Sequence, residues 1–290
     1  MKIGLQIPDF TWPGGPRAIG PTLTKIAKTA DAGGFEPIGV MDHLFQIGSL
    51  GPPEHEMLEA YTTLGYLAAH TSRAHLVTVV TGVVYRWPGV LAKIVTTLDV
   101  LSGGRAMLGI GAAWNEYEAR SLGIPYPPVA ERFEWLEDAL VMCHRMWSGD
   151  ETPLNGKRFM FERPLNSPPA ISRPRPRIMI GGMGERKTLR LVAKYADACN
   201  LFPTPDVHKK LDVLKRHCER EGRNYDEIEK TFMFRFDVGD RGEKIPQILE
   251  QLRRFARLGF TTAIGGVRDV WKIDPLEIMA RDLIPAAAEL

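Results

Sequence analysis

The residue pair with the clearest capacity for chemistry in this 290-residue chain is Asp42-His43. Imidazole is the side-chain group that can both give and take a proton near neutral pH. The pair directly follows an apolar run over 36–41 that we interpret as a strand. We predict an acid/base role for His43. The structural alternative is that Asp42 caps the next loop and that His43 packs beneath it.

A second candidate is the turn Gly181-Gly182-Met183-Gly184-Glu185, between a predicted strand over 177–180 and a predicted helix over 185–195. Such a turn presents unpaired backbone N–H groups and the positive end of a helix dipole to an anion such as phosphate. Neither stricter phosphate-binding pattern, GxxxxGK[ST] or GxGxxG, fits the spacing. An ordinary tight turn is the alternative.

A third candidate lies where the predicted strand Ala106–Gly111 ends. The next two residues, Ala112 and Ala113, have little side-chain volume, and Trp114 follows them. A ledge of small residues beside an indole suits a flat ring, whereas the alternative is a rim tryptophan that is buried for packing. Asn115 is a candidate N-cap for a helix that begins near residue 116.

The composition argues against several classes of partner. The 37 basic and 35 acidic residues give a net charge of +2 and a pI of 8.4, so nothing indicates binding to nucleic acid or to a membrane surface. Neither the three cysteines nor the histidines have metal-ligand spacing, so we expect reduced thiols and no metal site. No leader and no run of about 18 apolar residues occurs, so we expect a soluble cytoplasmic protein.

Strands and helices alternate along the chain, and this alternation must position the candidates. The clearest unit runs from a β-branched strand over 77–85, through a helix that Pro88 begins and Gly103-Gly104 ends, into the strand over 106–111. We count eight strand-helix pairs, which predicts a single-domain (β/α)8 TIM barrel over 1–290. A doubly wound open sheet is the alternative. In either fold, the carboxyl ends of the strands host the chemistry.

The segment 148–176 interrupts this alternation. It holds many of the prolines and a predicted hairpin around 159–161, so we interpret it as an insertion between the fourth helix and the fifth strand.

Taken together, the motifs resemble the bacterial luciferase-like monooxygenase superfamily and, within it, the F420-dependent oxidoreductases. The resemblance covers most of residues 1–200 and is carried by DHL at 42–44, YRWPGVLAK at 85–93, TLDVLSGGRAMLGIGAAWNEYE at 97–118, GIPYPPVAERF at 123–133 and IGGMGERKTLRLVAKYADACN at 180–200.

This resemblance implies a deazaflavin in the pocket at the carboxyl ends of the strands, against a bulge in strand three. In the family that bulge commonly holds a non-prolyl cis peptide, which corresponds here to about Val79-Val80. Asp42 corresponds to a residue at the polar edge of the ring, and His43 to an acid/base. The cofactor-binding residues implied by the resemblance, or indicated by the ledge and the turn, are Asp42, Val79, Val80, Thr81, Ala112, Ala113, Gly181, Gly182, Met183, Gly184 and Glu185.

The resemblance predicts hydride transfer between C5 of F420 and a small organic substrate, with His43 as the catalytic acid/base. From its position beside the ledge we expect Trp114, the second catalytic candidate, to wall the substrate side. The sugar-phosphate dehydrogenases of the family carry a glutamate after the small residues at this strand end, where this chain has Trp114, so we expect an apolar or conjugated substrate. The alternatives are an FMN-dependent monooxygenase supplied by a partner reductase and a flavin-binding barrel without turnover. The family also favours a homodimer, as does the apolar content of the helices near 58–70 and 88–101.

Overall fold

The strands form a closed ring around the barrel interior in the computed structural model, which describes residues 1–290. The strands are β1 (Lys2–Ile7), β2 (Ile38–Val40), β3 (Leu76–Thr78), β4 (Thr81–Gly82), β5 (Ala106–Gly111), β6 (Leu154–Asn155), β7 (Met160–Phe161), β8 (Arg177–Gly181), β9 (Ala198–Leu201), β10 (Glu229–Phe236) and β11 (Thr262–Val267). The helices are α1 (Pro16–Ala32), α2 (Ala60–His70), α3 (Pro88–Leu101), α4 (Glu116–Ser121), α5 (Val129–Ser148), α6 (Thr188–Tyr195), α7 (Val207–Glu221), α8 (Ile245–Arg257), α9 (Asp274–Ile278) and α10 (Ile284–Ala288).

The sheet is parallel and follows the order β3, β2, β1, β11, β10, β9, β8, β5, and a further pairing of β3 with β5 closes it. This confirms the predicted (β/α)8 barrel and excludes the open sheet. The main core lies between the ring and the helices, while a small cluster fills the interior: Val77, Met107, Met179, Ala198 and Ile264.

The third strand position is broken, which corrects the continuous strand predicted over 77–85. β3 ends at Thr78, Val79 and Val80 leave the ladder, and β4 pairs with β5 through Thr81 and Gly82. A short 3-10 helix over Val83–Tyr85 then leads to α3. The two valines pack on the interior cluster yet keep part of their surface exposed at the carboxyl-terminal mouth of the barrel.

The insertion is attached to the helices by buried carboxylates. Asp138 of α5 accepts hydrogen bonds from the backbone N–H groups of residues 157–159, and Asp99 of α3 accepts those of Ile171 and Ser172. The predicted hairpin forms from β6 and β7, and residues 157–159 lie in the turn that joins them. The insertion therefore lies against α3 and α5.

One predicted helix boundary was wrong, and two other helices have irregular features. α1 begins at Pro16 and contains Pro21 in its interior. α6 begins at Thr188 and not at Glu185, because residues 185–187 form a turn closed by the hydrogen bond from Leu189 N to Gly184 O. The last helix is interrupted over Met279–Leu283 by a π-helical turn.

Candidate active site

The candidate residues from separate parts of the sequence lie at one end of the barrel. His43 follows β2, the valine pair interrupts the third strand, the alanine ledge follows β5 and the glycine turn follows β8. All of these positions are at the carboxyl ends of parallel strands, which meet at the same rim. The fold therefore brings together the segments that the sequence singled out.

The valine bulge has the predicted backbone. The peptide bond between Val79 and Val80 is cis, and the side-chain amide of Gln6 donates to the carbonyl of Val79 at 3.2 Å. Glycines at the ends of β5 and β8 leave space for the bulge. A Cβ at Gly181 would lie 3.0 Å from both methyl groups of Val80, and one at Gly111 would lie 3.2 Å from Val80 Cγ2.

His43 is held by a carboxylate that the sequence analysis did not select. Its Nδ1 lies 2.8 Å from Oε2 of Glu118 on α4, and the Glu118 side chain has no exposed surface. The imidazole keeps 12% of its side-chain surface exposed. His43 therefore belongs to a buried polar network and does not merely pack beneath the loop.

The carboxylate of Glu118 accepts hydrogen bonds from four groups. Oε1 accepts the backbone N–H groups of Leu44 and Phe45, and Oε2 accepts the hydroxyl of Tyr85 at 2.7 Å besides facing His43. Burial by itself raises the pKa of this carboxyl, but the hydrogen bonds from His43, Tyr85 and Phe45 outweigh it, so the pKa lies below its usual range. Glu118 is an ionised acceptor at neutral pH.

Asp42 points away from His43 into an ion pair. Arg86 donates from Nη1 to Oδ2 at 2.6 Å and from Nη2 to Oδ1 at 3.0 Å, and Nη2 also contacts Glu59, the N-cap of α2. The guanidinium lies 4.6 Å from the ring centre of Tyr61. Burial raises the pKa of Asp42, and the Arg86 charge opposes that rise. Asp42 therefore does not cap the loop.

Trp114 lies beside His43 and faces solvent. The two ring centres are 5.3 Å apart in an edge-on arrangement, and Trp114 is 64% exposed, so it is not buried for packing. The preceding residue, Ala113, has a φ of 62°, a left-handed conformation that directs the chain out of the strand. Asn115 caps α4 as predicted, because its Oδ1 accepts the N–H of Glu118 at 3.3 Å. The indole forms an exposed wall next to the imidazole.

The alanine ledge is held from below by Arg132 of α5. Its Nη1 donates to the carbonyls of Ala112 at 3.3 Å and Ala113 at 2.7 Å, and its guanidinium lies 4.1 Å from the ring centre of Tyr126. Arg132 is 9% exposed, its side-chain hydrogen bonds go to the two alanine carbonyls and the Tyr126 hydroxyl, and its Nε is buried without an acceptor. A positive charge thus lies under the ledge.

The glycine turn presents unpaired N–H groups, although not at a helix N-terminus as predicted. The N–H of Gly182 donates to Asn200 O at 3.1 Å, but no backbone carbonyl accepts the N–H groups of residues 183–187. Gly182 has a φ of 126°, which favours glycine. The carboxylate of Glu185 is turned to Lys210 at 2.7 Å. Successive free N–H groups of this kind form a cradle for an anion.

These features fit a ring with an anionic tail. Most of the predicted cofactor-binding residues keep accessible surface at the mouth, namely Val79, Val80, Ala112, Ala113, Gly181, Gly182, Met183, Gly184 and Glu185. Two do not: Asp42 is bound by Arg86, and the Thr81 hydroxyl is 2.7 Å from Tyr61 Oη. The unpaired N–H groups of the turn are suited to a phosphate-bearing cofactor.

The fold places this protein among the (β/α)8 barrels that carry their site at the carboxyl ends of the strands. Comparison with known proteins then gives the family. The luciferase-like monooxygenase model matches residues 1–274, so the chain belongs to the luciferase-like monooxygenase family. No helix of the chain has both the length and the apolar character that a membrane crossing requires.

The chain has low sequence identity to individual relatives. The chain is 27% identical over 235 residues to an F420-dependent glucose-6-phosphate dehydrogenase of Nakamurella multipartita, an alignment that covers 76% of this chain but only 65% of the relative's length. Among solved structures, it resembles an F420-dependent secondary alcohol dehydrogenase in complex with an F420-acetone adduct, at 17% identity and a TM-score of 0.79 over 99% of each chain. It also resembles the oxygenating constituent of 3,6-diketocamphane monooxygenase from Pseudomonas putida in complex with FMN, at 14% identity and a TM-score of 0.74 over 98% of each chain.

Proposed function

We propose that this protein is an F420-dependent oxidoreductase that acts on a small organic substrate. The observation that carries the proposal is the set of unpaired N–H groups over 183–187 at the same barrel mouth as the exposed Val79-Val80 bulge and His43. An anion cradle, a flat backbone surface and a titratable group on one rim are what a deazaflavin with a phosphate-bearing tail requires. The F420-dependent relatives support this choice.

F420, when bound, supplies the hydride acceptor and donor chemistry. The residues of this chain supply binding, orientation and proton transfer. The bulge would support one face of the ring, and the turn from Gly181 to Glu185 would hold the tail phosphate. Asp42 has no exposed surface, so we propose that it acts at the polar edge of the ring through Arg86, whose side chain is 12% exposed.

His43 is proposed to exchange the proton that accompanies hydride transfer. Its free Nε2 has no partner within the protein, while Nδ1 is occupied by Glu118. Trp114 would wall the substrate space beside it, since the indole is exposed and in contact with the imidazole. An apolar wall favours an apolar or conjugated substrate over a sugar phosphate.

The test is to mix the protein with F420 and a panel of small alcohols and conjugated carbonyl compounds, and to follow the visible absorbance of the deazaflavin. We expect reduction or reoxidation with at least one apolar substrate and a loss of turnover in His43→Ala. Turnover only with glucose 6-phosphate would contradict the apolar assignment.

The second candidate is an FMN-dependent monooxygenase that receives reduced flavin from a partner reductase. The likeness to the FMN-bound monooxygenase favours it, because the same bulge can support an isoalloxazine. Oxygen consumption with reduced FMN separates the two functions. For a barrel that binds flavin without turnover, His43→Ala would leave every measured property except stability unchanged.

We also propose that the protein is a homodimer through α2 and α3. The outer side of these helices and the residue before α3 carry exposed apolar side chains: Tyr66, Trp87, Val90 and Leu101. Patches of this kind commonly mark protein interfaces. Light scattering after size-exclusion chromatography should give a dimer for the native chain and a monomer for Leu101→Glu.

A further inference from the structure

We propose that Glu118 is a positioning residue that keeps the ring hydrogen of His43 on Nδ1, so that Nε2 is free to accept a proton from the substrate. The inference rests on the acid/base role proposed above for His43. The position of the hydrogen can nevertheless be measured without cofactor or substrate, so the two proposals can fail separately.

The contacts of Glu118 fix which atom carries the hydrogen. Oε1 is occupied by the N–H groups of Leu44 and Phe45, and Oε2 faces His43 Nδ1 at 2.8 Å and the Tyr85 hydroxyl at 2.7 Å. An ionised carboxylate only accepts hydrogen bonds. The short contact with Nδ1 therefore requires that the imidazole be the donor.

The other ring nitrogen is available for chemistry. His43 Nε2 has no hydrogen-bond partner within the protein. It is not a buried atom, so it is accessible at the mouth of the barrel. The charged group that contacts His43 is Glu118, and the adjacent Asp42 is paired with Arg86. Trp114 contacts the imidazole but does not titrate. Nothing else in the protein competes for Nε2.

The substitution Glu118→Gln provides a sharp test, because the two halves of the carboxylate have different partners. The backbone N–H groups of Leu44 and Phe45 require an acceptor at the Oε1 position, so the amide oxygen must stay there. The amide NH2 then takes the Oε2 position and donates to Nδ1 of His43. The hydrogen of the neutral imidazole is thereby forced onto Nε2, where it blocks proton acceptance.

The experiment is long-range 1H–15N correlation NMR on protein labelled at histidine, with the His43 signals identified by their absence in His43→Gln. We expect the Nδ1–H form in the native protein and the Nε2–H form in Glu118→Gln. Tyr85→Phe removes a donor to the same oxygen without changing the charge of Glu118, so it should keep the Nδ1–H form.

A matched control exists on the opposite side of the molecule. His75 Nδ1 lies 2.7 Å from Glu36 Oε1, so Glu36→Gln should change the His75 signals and leave those of His43 unchanged. An Nε2–H form of His43 in the native protein would overturn the proposal, as would an unchanged tautomer in a folded Glu118→Gln. If that variant does not fold, the native spectrum and that of Tyr85→Phe still decide, since either one showing the Nε2–H form rejects it. Failure to bind F420 would count against the proposed function alone.

Discussion

Gln6 of β1 donates from its side-chain amide to the carbonyl of Val79, so the first strand holds the bulge of the third strand across the barrel interior. Gln6 is 5% exposed, and no other residue of β1 donates a hydrogen bond to this carbonyl. This single hydrogen bond links the position of the proposed ring surface to a residue 73 positions earlier in the chain.

Replacing this amide should loosen the bulge. In Gln6→Leu the carbonyl of Val79 loses its donor, which should lower the free energy of unfolding by about 1–3 kcal/mol and weaken F420 binding. Urea unfolding and fluorescence titration measure the two effects. Gln251→Leu, at an exposed position on α8, is the control and should change neither. Native affinity in Gln6→Leu would show that the bulge is held by other means.

Adding one methyl group beside the bulge should also impair binding. The Cβ introduced by Gly181→Ala would lie 3.0 Å from both Val80 methyls, so the valine must shift, at a cost of about 1–3 kcal/mol in stability. The expected result is a higher dissociation constant for F420. Gly89→Ala adds the same methyl group in α3 where no atom lies within 4 Å, and it should be neutral or stabilising. Equal behaviour of the two variants would argue against a crowded bulge.

The anion cradle can be tested by removing one N–H group. Glu185→Pro deletes an unpaired N–H, whereas Glu185→Ala deletes only the carboxylate that faces Lys210. Loss of a hydrogen bond to phosphate should raise the F420 dissociation constant about tenfold, which corresponds to about 1.4 kcal/mol, in the proline variant alone. A deazaflavin that lacks the tail phosphate should bind both variants equally. If it also loses affinity for the proline variant, the turn does not act through phosphate.

The buried ion pair predicts non-additive stability changes. Arg86→Met leaves the Asp42 carboxylate buried without its partner, so the free energy of unfolding should fall by about 3–5 kcal/mol. The double substitution Asp42→Asn with Arg86→Met removes that charge and should recover part of the loss. Urea unfolding of the two single variants and the double variant completes the cycle. Simple additivity would mean that the two side chains are not coupled.

Glu118 should make stability depend on pH in the acid range. Its pKa in the folded protein is lower than the value of about 4.3 expected in the unfolded chain, because hydrogen bonds from His43, Tyr85 and Phe45 outweigh burial. The stabilisation is therefore present above that pH and is lost as the pH falls through the folded-state pKa. The stability difference between native protein and Glu118→Gln, about 1–3 kcal/mol at neutral pH, should shrink on acidification. A difference independent of pH in urea unfolding would refute this.

The sequence predicted the barrel because its signals are local. Pro88 at the start of α3, Gly103-Gly104 at its end and the apolar strand over 106–111 each report on the few residues around them. The break in the third strand was less visible, because valines at 79 and 80 continue a β-branched pattern and only the family resemblance indicated the cis bond. The start of α6 was missed because glycine and charged residues suit a turn as well as a first helical turn.

The sequence predicted which segments form the site but not which side chains contact each other there. Glu118 lies on a short helix next to Glu116, and nothing in its neighbours distinguishes the buried carboxylate from the exposed one. Its partners at 43–45 are more than 70 residues away in the chain and meet it only when the barrel closes. The pairing of Arg86 with Asp42 and Glu59 likewise depends on how α2 packs against the ring.

The central claim is that the mouth of this barrel binds a deazaflavin through the bulge and the cradle. The most direct test is to measure the dissociation constants of the purified protein for F420 and for FMN under identical conditions. We expect clear saturable binding of F420 that is tighter than that of FMN and is weakened by Glu185→Pro. Tight binding of FMN with no binding of F420 would contradict it and would place the protein with the flavin monooxygenases.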